Sequence, residues 1–151
     1  MAMVTAETKK RKRPRRAAQA GFTLIEMLVV ITIIGLIMAL VAPRVLNYLS
    51  ESKVKATKIQ IASFESALDL YYLDAGQYPS SSQGLEALVQ RPSDAGAWNG
   101  PYLKGGVVPE DPWGHSYVYR SPGEHGTYDI ISYGVDGQQG GPAGEITSWA
   151  R

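Results

Sequence analysis

From Phe22 to Ala42 the sequence reads FTLIEMLVVITIIGLIMALVA, twenty-one residues with one charged side chain, Glu26. As an α-helix at about 1.5 Å per residue, this run spans roughly 30 Å, the hydrocarbon thickness of a bilayer. It is apolar on every face, which suits a membrane span or a helix wholly enclosed in protein. A chain of 151 residues has no interior large enough to enclose it. The run therefore predicts a helix embedded in a membrane.

The charge is divided around that run. Residues 1–21 hold seven basic side chains (Lys9, Lys10, Arg11, Lys12, Arg13, Arg15 and Arg16) against Glu7 alone, a net +6. The remaining eight basic and thirteen acidic side chains give −5. A basic start and an acidic body predict a segment kept in the cytoplasm and a domain sent across a membrane. Basic runs also mark nucleic-acid or nuclear-targeting patches, but the adjoining apolar run argues against that use and no nucleic-acid partner is expected. The composition of residues 1–20 buries nothing and predicts disorder until bound. With no cysteine there is no disulfide, thiolate metal site or cysteine nucleophile. Two histidines, His115 and His125, are too few for a zinc enzyme.

Past the apolar run the helical period continues without a clear stop. Ile61, Phe64, Leu68 and Tyr71 form one stripe, Ile59, Ala62, Leu70 and Leu73 lie beside it, and Lys53, Lys55, Lys58, Glu51, Glu65 and Asp69 occupy the other side. This predicts an amphipathic helix leaving the membrane, kinked at Pro43 and closed by Gly76 before Pro79. Residues 84–90 read as a short capped helix ending before Pro92, and residues 92–115 as an irregular loop. SYVYRS (116–121) and TYDIISYG (127–134) predict a hairpin, with Tyr117/Tyr119 and Tyr128/Ile130 alternating toward the helix. Residues 135–144 form a glycine-rich loop, and Ile146 to Trp149 a short third strand.

A secretory signal would be cut after the apolar run, at Ala39 to Ala42, yet no polar cleavage zone stands there. The other place for a cut lies in front of it, at Gly21-Phe22-Thr23-Leu24-Ile25-Glu26, behind the basic leader. GFTLIE followed by a long apolar run resembles the type IV pilins and pseudopilins. That resemblance implies cleavage between Gly21 and Phe22 by a prepilin peptidase, with N-methylation of Phe22. Glu26 gains a physical rationale from such a cut. A lone carboxylate at the edge of an apolar helix costs roughly a few kcal/mol in a membrane unless neutralised or paired, and cleavage creates an ammonium about one turn away, on the same or a neighbouring copy. The simpler reading is a glutamate stabilised by the helix dipole in the first turn.

The resemblance continues through the body. GQYP at 76–79, SSSQGLEALVQRP, GPYLK and VPEDPWGHSYVYRSPGEHGTYDIISYGVDGQ, with the closing Trp149, are similar to the major pseudopilins of type II secretion systems, the protein G family. This implies a type IV pilin-like α+β fold, with a long N-terminal helix on a small antiparallel sheet and a C-terminal loop. The implied parts are a cleaved leader (1–21), a membrane and filament-core half-helix (22–43) and a periplasmic domain (44–151). The implied role is a non-enzymatic subunit of a periplasmic homopolymer anchored in the bacterial inner membrane. Minor pseudopilins and an inner-membrane assembly platform would be its partners. A type IV pilin for adhesion or motility shares the N-terminal chemistry but not the PWG and SPGEHG segments. A signal-anchored periplasmic enzyme leaves Gly21-Phe22 and Glu26 unexplained.

The family also implies one calcium ion in the C-terminal loop. Tyr133-Gly134-Val135-Asp136-Gly137 matches the stretch that supplies a carbonyl and an aspartate, here the Tyr133 carbonyl and Asp136. Before the last strand the family usually has a closely spaced acidic pair, and this chain has Glu145 alone. An Asp-Gly turn without a metal would use the same residues. Asp111-Pro112-Trp113-Gly114 reads as a turn, and His115 and His125 as surface or turn residues. The carboxylate pairs Glu110/Asp111 and Glu124/Asp129 show no spacing that would place them in a catalytic pocket.

Overall fold

The computed structural model describes residues 21–150, so the expected leader, apart from Gly21, lies outside the described residues. The chain divides into two units, one ending at Val41 and the other beginning at Ala42. Helix α1 (Leu24–Ala75) supplies residues to both and contains Pro43. In the first unit the large apolar side chains of α1 are exposed, Leu24 at 92 % and Leu36 at 74 %. No part of the apolar window is buried within the chain.

In the second unit α1 is amphipathic, and its buried positions, Thr57, Ile61, Phe64, Ala67, Leu68 and Tyr71, share one face at helical spacing. Ile59, Leu70 and Leu73, expected beside this stripe, are instead exposed at 72 %, 52 % and 77 %, and Ala62 is exposed too. At about 100° per residue these four fall on the helix face opposite the stripe, turned away from the core. Gly76 ends α1 with φ +74°, and its N–H donates to the Tyr72 carbonyl at 2.8 Å, the left-handed helix stop that glycine permits.

Ser80 and Gln83 cap one another reciprocally. The Ser80 N–H donates to Gln83 Oε1 at 2.8 Å, and the Gln83 N–H to Ser80 Oγ at 3.3 Å. This box closes the turn before Gly84. The next element is a 3-10 helix of four residues, Leu85–Leu88, shorter than the expected helix over 84–90. Leu85, Ala87 and Leu88 join the core. The irregular segment beyond is tied to it by polar bonds: Trp98 Nε1 donates to the Ala87 carbonyl at 2.9 Å, and Tyr102 Oη to Asp74 Oδ2 at 2.7 Å.

Strands β1 (Val118–Arg120), β2 (Asp129–Ser132) and β3 (Ile146–Thr147) form an antiparallel sheet in that order. Tyr119 stands opposite Ile130, and Ile131 opposite Thr147. The ladder is shorter than the expected 116–121 and 127–134 because β2 turns away after Ser132 into a 3-10 turn, Gly134–Asp136, leaving Ser116 and Tyr117 without strand partners. Tyr117 and Tyr119 are buried as the alternation predicts, and Tyr117 meets Phe64 edge-on at 4.9 Å. The one-sided alternation expected for β2 fails, since all four of its residues are buried. The 122–125 loop covers Asp129, whose Oδ2 accepts the Glu124 N–H at 2.8 Å.

Candidate functional site

At the N-terminal end, Gly21, Phe22 and Thr23 precede the helix. Phe22 is 78 % exposed. Thr23 is the cap: its Oγ1 accepts the Glu26 N–H at 3.2 Å, and its carbonyl accepts the Met27 N–H at 3.2 Å. The Thr-x-x-Glu spacing ahead of an apolar run is a helix-start signature, and it would have identified Thr23 from sequence. The cap leaves the Gly21–Phe22 bond outside the helix and places Glu26 in the first turn, where the dipole favours an anion. A new ammonium on Phe22 would act at this same end, so the two sources of stabilisation for Glu26 reinforce each other.

The second group of expected residues lies between β2 and β3. Tyr133 is half-buried and leads into the Gly134–Asp136 turn. Asp136 Oδ2 accepts the Ala143 N–H at 2.8 Å, and Glu145 Oε1 accepts the Gly140 N–H at 3.3 Å. Both carboxylates are therefore drawn onto amides of the same short stretch, 140–143. Gly141 packs so closely on Asp136 that any side chain there would collide with it. The loop ends also meet, since a Cβ on Gly134 would stand 3.8 Å from the Gly144 carbonyl oxygen.

Residues 44–149 match the family model described as Type II secretion system (T2SS), protein G, and residues 16–42 match the prokaryotic N-terminal methylation motif. The chain belongs to the type II secretion system protein G family. It is 46 % identical over 131 residues to the type II secretion system core protein G of Pseudomonas aeruginosa, covering 84 % of this chain and 91 % of that protein. Identity to the Vibrio cholerae core protein G is 41 %, covering 87 % and 92 %. For that of Escherichia coli K12 it is 42 %, covering 87 % and 91 %. The crystal structure of the major pseudopilin from the type 2 secretion system of enterohaemorrhagic Escherichia coli aligns with a TM-score of 0.63 at 30 % identity. That alignment covers 70 % of this chain and 94 % of the pseudopilin, so the pilin-like α+β architecture is shared.

Within this protein G chain, the loop can be judged for calcium on its donors. Among the described residues no group of three or more His, Cys, Asp or Glu side chains gathers for a metal. Asp136 and Glu145 supply two negative charges, matching a divalent cation, and the loop's other oxygens are backbone carbonyls and the Gln138 and Gln139 side-chain amides. Calcium takes about six to eight oxygens in flexible geometry, so the donor type and charge fit.

Several residues do more than their sequence context suggested. Asp111, read as a turn residue, forms that turn, with Oδ1 accepting the N–H groups of Trp113 and His115 at 3.0 and 2.9 Å. It is also 5 % exposed, and its Oδ2 accepts the Ser132 hydroxyl at 2.6 Å. His115 is not a plain surface residue, because its Nδ1 donates to the Gly134 carbonyl at 2.9 Å. His125 stacks on Trp149 with centroids 3.8 Å apart and rings 8° from parallel, and its Nδ1 lies 3.2 Å from Asp129 Oδ2. No local sequence signal announces the bonds from Ser132 to Asp111 and from His115 to Gly134, or the His125–Trp149 stack, each of which joins segments distant in sequence.

Proposed function

We propose that this chain is the major structural subunit of the periplasmic pseudopilus of a type II secretion system, with residues 22–43 in the inner membrane and 44–151 on the periplasmic side. The observation that carries the reading is the meeting of two family matches on one helix. The methylation motif ends at residue 42 and the protein G match begins at residue 44. The stretch before that junction is an apolar helix with every large side chain exposed, and the stretch after it carries the buried stripe. An exposed apolar helix needs lipid or neighbouring helices to cover it, which a membrane-stored subunit of a homopolymer has in turn. The match of the body to protein G favours secretion over an adhesive or motile pilus.

In this reading a prepilin peptidase cuts between Gly21 and Phe22 and methylates Phe22, and Glu26 pairs with the resulting amine during assembly. Minor pseudopilins and the inner-membrane assembly platform are the other partners, and the subunit catalyses nothing itself. The test is the intact mass of the chain recovered from membranes, expected to lack residues 1–21 and to carry one methyl group. A retained leader, or a new terminus near Ala42, would overturn the reading.

The same reading assigns calcium to the C-terminal loop, held by Asp136, Glu145 and the Tyr133 carbonyl, where the ion would cross-link the two ends of the loop. Binding to the folded state alone raises stability by about 2.7 kcal/mol at a hundredfold excess over Kd. Chelation should therefore lower the melting temperature. An unchanged melting temperature would remove the metal while leaving the filament role intact.

A further inference from the structure

One buried carboxylate fixes both backbone groups of the residue that opens the C-terminal loop. Asp111 Oδ2 accepts the Ser132 hydroxyl at 2.6 Å, and Ser132 Oγ in turn accepts the Gly134 N–H at 3.1 Å. Along a second route, Asp111 Oδ1 accepts the His115 N–H at 2.9 Å, and His115 Nδ1 donates to the Gly134 carbonyl at 2.9 Å. Because that acceptor is a carbonyl, the proton sits on Nδ1. Asp111 and Ser132 are 5 % and 0 % exposed, and Gly134 is buried, so water competes little for the bonds of the Ser132 route, while the His115 ring of the second route is partly open to solvent.

The His115 ring is also the floor of the turn. A Cβ on Gly137 would come within 2.7 Å of His115 Nε2, and Gly137 itself has φ +65°. Gly134 has φ +58°, a conformation that side-chain-bearing residues seldom adopt. The turn thus depends on two glycines, one gripped at its N–H and C=O and the other resting on the imidazole. Tyr133 and Asp136, two of the three groups assigned to calcium, flank and belong to this turn.

We infer that Asp111, acting through Ser132 and His115, is the positioning residue that sets the 134–145 loop in its cation-binding form. The inference rests on the calcium reading for its purpose, but its structural content can be tested without the ion. Partners that orient metal ligands without touching the metal typically contribute about 10–100-fold in affinity, and Asp111 reaches the loop in that indirect way. It donates nothing to the cation.

The experiment uses the full chain in detergent micelles, as wild type, Ser132→Ala, His115→Ala and His115→Asn. Asp111 itself is spared because its loss could unfold the sheet. Calcium affinity is measured by calorimetry, and amide hydrogen exchange of residues 134–145 is followed in chelator. Ser132→Ala and His115→Ala should weaken calcium at least about tenfold and speed exchange in the loop while the α1 amides from Thr57 to Tyr71 stay protected. His115→Asn should restore most of both, since its amide N–H can stand where Nδ1–H stood. Wild-type affinity together with wild-type exchange in both alanine variants overturns the inference. If the wild type itself binds no calcium, the metal reading fails and the exchange arm alone decides. Faster loop exchange then still supports the positioning role, and unchanged exchange overturns it.

Discussion

Two stretches of α1 share a backbone geometry and differ in what covers them. Between Leu24 and Leu49 the large apolar side chains lie open, with Ile31 63 % and Leu40 68 % exposed. Between Thr57 and Tyr71 one face is covered by the sheet and the 3-10 helix, and Ile61, Phe64, Leu68 and Tyr71 are at most 3 % exposed. Each such burial stabilises the second unit by about 1.5–3 kcal/mol, whereas the first stretch gains nothing comparable from its own chain. Folding and assembly are therefore separable properties of one helix. The polar side chains that make the second stretch amphipathic are what the first stretch lacks.

The largest expected effect tests that separation directly. Phe64→Ala should lower the stability of the second unit by about 3–5 kcal/mol, read as a shift in the urea midpoint. Leu36→Ala should leave the midpoint within about 0.5 kcal/mol of wild type. Equal shifts from the two substitutions would break the comparison. Next comes Glu26→Ala, which removes the first-turn carboxylate assigned to pair with the Phe22 amine. Insertion and the urea midpoint should be retained, while crosslinking of neighbouring copies into multimers should be lost. A normal crosslinked ladder would remove the pairing of Glu26 with the Phe22 amine.

Legibility in the sequence divides along the same line. The stripe Ile61, Phe64, Leu68 and Tyr71 was legible because period 3.6 is a local property of a helix. Ile59, Leu70 and Leu73 were misplaced because, at about 100° per residue, they fall on the helix face opposite the stripe, and apolar character alone does not assign them to the core. The Asp111 turn was legible from Asp-Pro-Trp-Gly. Its bond to Ser132, twenty-one residues away, was not, because that contact is created by β2 packing beside the turn. For the C-terminal loop, Asp136 and Glu145 were recognisable by type, but their convergence on residues 140–143 depends on how the glycines fold.

A third test asks whether the second unit's stability lies in the stripe alone. Asp129 on β2 is 2 % exposed. Burial pushes its carboxyl upward, but the Glu124 N–H and the ring and N–H of His125 outweigh that, holding it below the ordinary aspartate value of 3.8. A depressed folded-state value contributes stability that is fully present above the unfolded value and lost as pH falls through the folded one. Wild type should therefore lose stability progressively below about pH 4. Asp129→Asn should already be weaker by about 1–3 kcal/mol at pH 7 and show a shallower acid loss. Parallel acid profiles for the two proteins would mean that Asp129 contributes nothing through its charge.

The smallest expected effect concerns the ring that joins the stripe to the sheet. Tyr117 packs edge-on against Phe64 at 4.9 Å, and its Oη is buried without a hydrogen-bond partner among the described residues. The Thr57 hydroxyl, buried in the same helix as Phe64, already donates to the Lys53 carbonyl at 2.9 Å. Tyr117→Phe keeps the ring contact and removes a polar atom that was desolvated without compensation. Stability should be unchanged or raised by up to about 1 kcal/mol, measured as a urea midpoint beside that of Phe64→Ala. A loss of more than about 1 kcal/mol would mean that the phenol does find a partner, with Thr57 the group to test. In that case the contact between stripe and sheet has a polar component, and the double variant Thr57→Val/Tyr117→Phe should recover part of the loss.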